Sequence, residues 1–197
     1  MQEDTQEVNA TEEKVAAKEV AKEVVSKEVV HTYYEVDNDL LSKPKALISL
    51  LATAGEGLST VVFCNSPSEA DLVEVMLKKE GFVCEKLIGH VPFANVTKAI
   101  QQMKDGKLSV VILTDVAARE LDVTSINTVV NYSVHEDPEI YLHRITGFEG
   151  ECALSSVITL VSSIDFANFH YLKKIVEFEM VKGELPDEGV ILSLIHI

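Results

Sequence analysis

The sequence predicts an α/β domain built on a mostly parallel, doubly wound sheet. Three observations carry this expectation. Short runs rich in β-branched residues, such as Val61-Val62-Phe63 and Val110-Val111-Ile112-Leu113, read as strands buried on both faces. Longer stretches with apolar residues at helical spacing lie between them. Gly and Pro punctuate the boundaries, and strand-helix alternation of this kind predicts βαβ units rather than hairpins.

The elements follow in order. Residues 1–28 are polar and repetitive, with Lys18-Glu19-Val20, Lys22-Glu23-Val24 and Lys27-Glu28-Val29. Their Lys/Glu spacing would support a solvated helix, but a stripe of only Val and Ala makes that helix marginal. We read them as an acidic flexible tail or linker. A domain over 29–180 opens with a strand at Val29–Val36. Leu40, Leu41, Leu47, Ile48 and Leu51 then mark a helix over Asp37–Leu51, closed by Gly55 and Gly57. A buried strand at Thr60–Phe63 precedes a helix that Ser66 can cap and Pro67 can start, running to Lys79 before Gly81. Phe82–Leu87 is the next strand, followed by Gly89 and a helix over Pro92–Lys104. Asp105-Gly106 turns the chain into a strand from Leu108 to Thr114-Asp115. A strand at Ile126–Tyr132 leads to a helix carrying His143 and Arg144, then a strand at Ala153–Val161 and a helix at Ile164–Phe178. Residues 181–197 form a C-terminal tail. Its apolar end, Val190 to Ile197, fits an edge strand, a truncation or a non-native end.

Composition bounds the function. The 197 residues suffice for one ordinary domain plus tails, and 47% hydrophobic content is normal for a globular core. No apolar run is long enough to span a bilayer, and the charged N-terminus does not resemble a signal peptide. The three cysteines lack metal-ligand spacing and read as reduced thiols of a cytoplasmic protein. A net charge of −15, part of it in the two tails, argues against strong autonomous RNA binding, which a basic surface usually supplies.

Polar residues directly after parallel strands belong to a candidate site, because ligands bind at the carboxyl edge of such sheets. Both arginines of the chain, Arg119 and Arg144, fall between Leu108 and Gly147. In that stretch, Thr114-Asp115-Val116-Ala117-Ala118-Arg119-Glu120-Leu121-Asp122 resembles the TDVAARGLD signature of DEAD-box ATP-dependent RNA helicases. Asn131-Tyr132 through Tyr141-Leu142-His143-Arg144-Ile145 resembles the start of the family's NYD…YxHRIGRTGR segment, and Val61-Val62-Phe63-Cys64-Asn65-Ser66 resembles its VFCNT segment. Three ordered matches are more specific than any one of them. They cover roughly Val29 to Lys174 and resemble the second of the family's two RecA-like domains, a three-layer α/β fold.

The resemblance implies roles. Asn65, Ser66, Gly89, Thr114, Asp115 and Arg119 would line a track for single-stranded or duplex RNA, gripping the backbone without reading sequence. Asp122, His143 and Arg144 would serve ATP binding or domain closure. Five of these residues have a plainer reading: Thr114 as a capping residue, Asp122 as a turn aspartate, Arg119 as a solvated arginine, His143-Arg144 as surface polarity. No residue is assigned a catalytic or metal-binding role. ATP with magnesium would bind only in the presence of a first RecA-like domain, since the sequence holds neither a Gly-x-x-x-x-Gly-Lys-Ser/Thr loop nor an Asp-Glu-Ala-Asp box.

Departures from the family pattern are equally specific. After Ile145 the chain reads Thr146-Gly147-Phe148-Glu149-Gly150-Glu151, without the two later arginines that reach the γ-phosphate in the family. Such arginines are worth roughly 10³ to 10⁵ in rate. Glu120 replaces a glycine, and Pro92 to Val96 lacks the family's glutamine and arginine. The expected function is therefore half of an RNA and ATP site in a DEAD-box-type RNA helicase, inactive as an ATP hydrolase alone. The alternative is a catalytically dead RecA-like module acting as a protein-interaction or regulatory piece.

Overall fold

Among the described residues, seven strands form one sheet in which every pairing is parallel, in the order β3-β4-β2-β5-β6-β1-β7. They are β1 (Val30–Glu35), β2 (Thr60–Cys64), β3 (Cys84–Leu87), β4 (Val110–Thr114), β5 (Thr128–Asn131), β6 (Ser156–Val161) and β7 (Val181–Lys182). The helices are α1 (Ser42–Thr53), α2 (Pro67–Lys79), α3 (Phe93–Lys104), α4 (Pro138–Thr146) and α5 (Phe166–Ile175). This computed structural model describes residues 29–55, 58–115, 126–146 and 154–186. The acidic tail over 1–28, the stretch holding Arg119, Glu120 and Asp122, and Phe148 to Glu151 lie outside the described residues.

The two-residue period of the strands divides the core. Val62, Cys64, Val110 and Ile112 pack with Leu47, Leu50, Val73 and Leu77 of α1 and α2. Val61, Phe63, Val111 and Leu113 pack with Ala99, Met103, Tyr141, Phe169 and Leu172 of α3, α4 and α5. Every residue of the central strands β2, β4 and β5 is buried, which is why the β2 and β4 runs are apolar almost throughout rather than alternating. The result is the three-layer RecA-like arrangement expected from the motifs.

Boundaries shift where side chains compete for the backbone. Helix α1 starts at Ser42 rather than Asp37, because the Asp39 carboxylate accepts from Leu41 N (2.8 Å) and Ser42 N (3.0 Å) and closes a turn first. Leu40, counted toward the helix face from sequence, stands 74% exposed. Ser162 and Asp165 form a reciprocal capping box, Ser162 N donating to Asp165 at 2.9 Å, and this tightens Ser163–Asp165 into a 3-10 turn ahead of α5. The expected start of α2 is kept: Ser66 Oγ accepts from Glu69 N at 3.2 Å and Pro67 occupies the first turn. Past residue 180, β7 adds to the sheet beside β1, with Gly183 N donating to Tyr33 O at 2.9 Å.

Candidate nucleic-acid interface at the sheet edge

The carboxyl ends of β3, β4 and β2 are neighbours in the sheet, and the residues that follow them form a row. Gly89 follows β3, Thr114 closes β4 with Asp115 after it, and Asn65 and Ser66 follow β2. Cys64 is opposite Thr114 in the ladder, which sets the two strand ends level. Gly89 has φ +66°, and nothing lies within 4 Å of where a Cβ would sit. Its backbone is therefore open to a close approach in a conformation other residues rarely adopt. Among the residues predicted for an RNA track, Asn65, Ser66, Gly89, Thr114 and Asp115 share this edge. Arg119 lies outside the described residues.

Arg144 is the centre of the arrangement. It comes from α4, is 1% exposed, and packs over the Phe63 ring at 5.2 Å. Its five N–H groups all meet protein acceptors. Nε and Nη2 donate to the Asp115 carboxylate at 2.6 and 2.8 Å, a two-pronged ion pair. Nη2 also donates to Asn65 Oδ1 at 2.8 Å, and Nη1 donates to Asn131 Oδ1 at 3.2 Å and Ser133 O at 3.3 Å. One guanidinium thus ties together the ends of β2, β4 and β5. Only arginine offers five donors in a fixed fork, so the site has a physical reason for this residue.

A second set of contacts continues the chain of partners. Asn65 N donates to Glu69 Oε2 at 2.8 Å, and Asn65 Nδ2 to Val134 O at 3.1 Å. Ser133 Oγ donates to Glu69 Oε1 at 2.9 Å and accepts from Lys43 Nζ at 2.8 Å. Lys43 Nζ also pairs with Asp165 at 2.8 Å. The row Asp165, Lys43, Ser133, Glu69, Asn65, Arg144, Asp115 runs along the strand ends with charges of alternating sign. Lys43, Ser133, Arg144 and Asp165 are buried, Glu69 and Asp115 are half-buried and Asn65 is exposed, so the row runs from the interior to the surface.

Burial, and then the Glu69 carboxylate, push the Cys64 thiol far above its ordinary value, so it stays protonated and is no nucleophile. At the edge strand β3, the hydrogen bonds that Lys86 donates to Asp71 and Glu74 push its pKa up to about 12, leaving it a fixed cation. His143 stands exposed on α4.

These placements bear on ATP. Arg144 has no N–H left for a phosphate, and among the described residues no cluster of His, Cys, Asp or Glu fits a metal ion. Asp122 lies outside the described residues. The described residues therefore do not fit a triphosphate by themselves.

Sequence reasoning named Arg144, Asp115 and Asn65 separately but missed Lys43, Glu69, Asn131, Ser133 and Asp165. Two signals were available. Glu69 stands three residues after the capping Ser66, the spacing of a capping box. Asn131 ends an apolar strand with 0% exposure, which demands a partner.

Residues 42–146 match the family described as the helicase conserved C-terminal domain. The chain is 30% identical over 138 residues to the ATP-dependent rRNA helicase rrp3 of Schizosaccharomyces pombe, covering 69% of this chain and 29% of that protein. It is 34% identical over 132 residues to the pre-mRNA-splicing ATP-dependent RNA helicase PRP28 of Pyricularia oryzae, covering 66% and 19%. The chain thus spans under a third of these relatives. The E. coli DEAD-box protein SrmB, solved bound to regulator of ribonuclease activity A, superposes with a TM-score of 0.72 at 28% identity, covering 82% of this chain and 94% of that one. No helix among the described residues is long and apolar enough to cross a membrane.

Proposed function

Since this chain belongs to the helicase conserved C-terminal domain family, as the second RecA-like domain of a DEAD-box RNA helicase, we propose that its β3-β4-β2 edge holds one strand of RNA by the sugar-phosphate backbone. The observation that carries this reading is the level row of Gly89, Thr114, Asn65 and Ser66 at three adjacent strand ends. Ser66 Oγ accepts from Glu69 N, which leaves its own O–H able to donate. The Thr114 hydroxyl and the open backbone at Gly89 suit phosphate and ribose oxygens. Asp115 would repel phosphate if free. Its forked pairing with Arg144 cancels that charge locally, so an acid can stand beside an RNA track.

ATP with magnesium enters this reading only through a first RecA-like domain, which would supply a phosphate loop. His143 and Arg144 would then act on closure of the two domains, Arg144 by fixing the edge rather than by touching the nucleotide. Asp122 would hold the ribose and Arg119 would lie by the RNA. Cys64 and Cys84, both free, suit a reducing compartment, and we place the protein in the cytoplasm.

The test is fluorescence anisotropy of a labelled single-stranded RNA with the pure chain, beside a Thr114→Ala, Ser66→Ala double variant. Saturable binding that the double variant weakens several-fold is the expected result. Equal binding by both would move the RNA off this edge. The pure chain should release no phosphate from ATP with or without RNA, and RNA-stimulated release would overturn the half-site reading.

A further inference from the structure

The geometry points to Glu69 as a positioning residue for the RNA edge, held in place by Lys43 through Ser133. The inference rests on the RNA-track reading above. Glu69 projects from the first turn of α2 and uses both carboxylate oxygens in different directions. Oε2 takes the backbone N–H of Asn65 at 2.8 Å, and Oε1 takes the Ser133 hydroxyl at 2.9 Å. It therefore fixes the peptide from which the Asn65 side chain projects. That side chain in turn spends Oδ1 on Arg144 and Nδ2 on Val134 O. Moving Asn65 would release an acceptor of the guanidinium that neutralises Asp115.

Lys43 decides the direction of the Ser133 hydroxyl. An ammonium can only donate, so Ser133 Oγ must accept from Nζ and turn its own proton elsewhere. Glu69 is the acceptor it meets. Lys43 is held by Asp165, 5% exposed and itself fixed by Ser162. The family segment quoted above has an aspartate after its Asn-Tyr pair, and this chain has Ser133 there. In this arrangement the carboxylate comes from α2 instead, and the serine relays between it and the lysine.

The sign of the effect separates positioning from simple charge. Removing a negative charge beside an RNA backbone should tighten binding by electrostatics alone. Glu69→Gln keeps the shape but can offer one acceptor oxygen where two are needed, so positioning predicts weaker binding. Glu74→Gln on the same helix removes the same charge from a carboxylate that pairs with Lys78 and Lys86 rather than with Asn65 and Ser133.

The experiment measures RNA affinity by anisotropy for the full chain and for Glu69→Gln, Ser133→Ala, Lys43→Arg and Glu74→Gln, with the Arg144 Nε–H and Asn65 side-chain amide resonances followed by NMR. We expect Glu69→Gln and Ser133→Ala to lose about tenfold in affinity and to shift both resonances. Lys43→Arg, which keeps a donor cation, should retain most of the affinity. Glu74→Gln should bind as well as the parent or better and leave the resonances in place. Binding by Glu69→Gln at or above the parent level would overturn the proposal. If the parent itself binds no RNA, the RNA-track reading fails, and the resonances then judge the positioning alone: an unmoved Arg144 Nε–H in both edge variants sinks it. Should Glu69→Gln not fold, Ser133→Ala, which changes no charge, is judged on affinity and resonances alone: parent-level binding with unmoved resonances overturns the proposal.

Discussion

Replacing Arg144 with alanine tests whether one side chain organises the strand ends. The substitution strips partners from Asp115, Asn65, Asn131 and Ser133 O. Asp115 is 24% exposed on its side chain and Asn65 lies at the surface, so water rescues part of their loss. Asn131 and Ser133 are buried, and an orphaned buried acceptor costs about 1–3 kcal/mol. Breaking a fully buried ion pair on one side costs roughly 3–5 kcal/mol, and with Asp115 partly solvated we expect a loss at the low end, about 3 kcal/mol. For a domain of this size that lowers Tm by about 10 °C. Arg144→Lys keeps the charge but loses the fork, and should cost about half as much. The assay is urea denaturation followed by far-UV circular dichroism, with the slope m unchanged so that the midpoint reports stability. An Arg144→Ala loss below about 1 kcal/mol would falsify the account of a fully engaged guanidinium.

Two further outcomes follow from particular residues. His31 is buried and stacked on Phe178 at 3.9 Å, neither ring nitrogen has a partner among the described residues, and burial lowers its pKa from 6.5 to about 4. With the folded value below the unfolded one, the full stability is present above pH 6.5 and is lost as pH falls toward 4, by at most about 3 kcal/mol. His31→Phe should remove that part of the slope, so equal pH dependence in parent and variant denaturation midpoints would speak against a neutral buried His31. At the other sheet edge, a Cβ on Gly183 would fall 2.6 Å from Tyr34 Cζ and 2.8 Å from Thr32 Cγ2. Gly183→Ala should therefore cost about 1–3 kcal/mol and speed amide exchange at Gly183, and unchanged exchange there would show that β7 docks in another way.

The sheet was legible because its signals are local. Runs such as Thr60–Cys64 and Val110–Thr114 are apolar on every residue, and only strands covered on both faces need that. Ser66-Pro67 announced α2 to the residue for the same reason. What the sequence hid is non-local. Lys43 reads as a solvated helix residue until Asp165 and Ser133 are placed beside it by two strand pairings. The Asp39 turn and the Ser162 capping box moved two helix starts, since short polar side chains compete for backbone N–H groups that periodicity does not count. Strand β7 is two residues long with both exposed, and carries no apolar pattern to find.

The acidic composition looks hostile to RNA until the edge is read group by group. Asp115 is paired by Arg144 and Asp165 by Lys43, while Glu69 accepts from Asn65 and Ser133. The same pairings remove Arg144 and Lys43 from the cations that could meet phosphate. On the proposed reading, RNA recognition at the described edge falls to hydroxyls and backbone groups, with Arg119 as the one further arginine in the chain. Binding of single-stranded RNA releases counterions only where a cation meets a phosphate, at a slope of about −0.7 per contact in log K against log salt. A track built this way should show a shallow slope, no steeper than about −1.5, which corresponds to roughly two contacts. Anisotropy titrations from low to physiological salt give that slope directly. A slope several times steeper would mean that lysines on another face carry the RNA, and that the level row at β3, β4 and β2 is not where it is held.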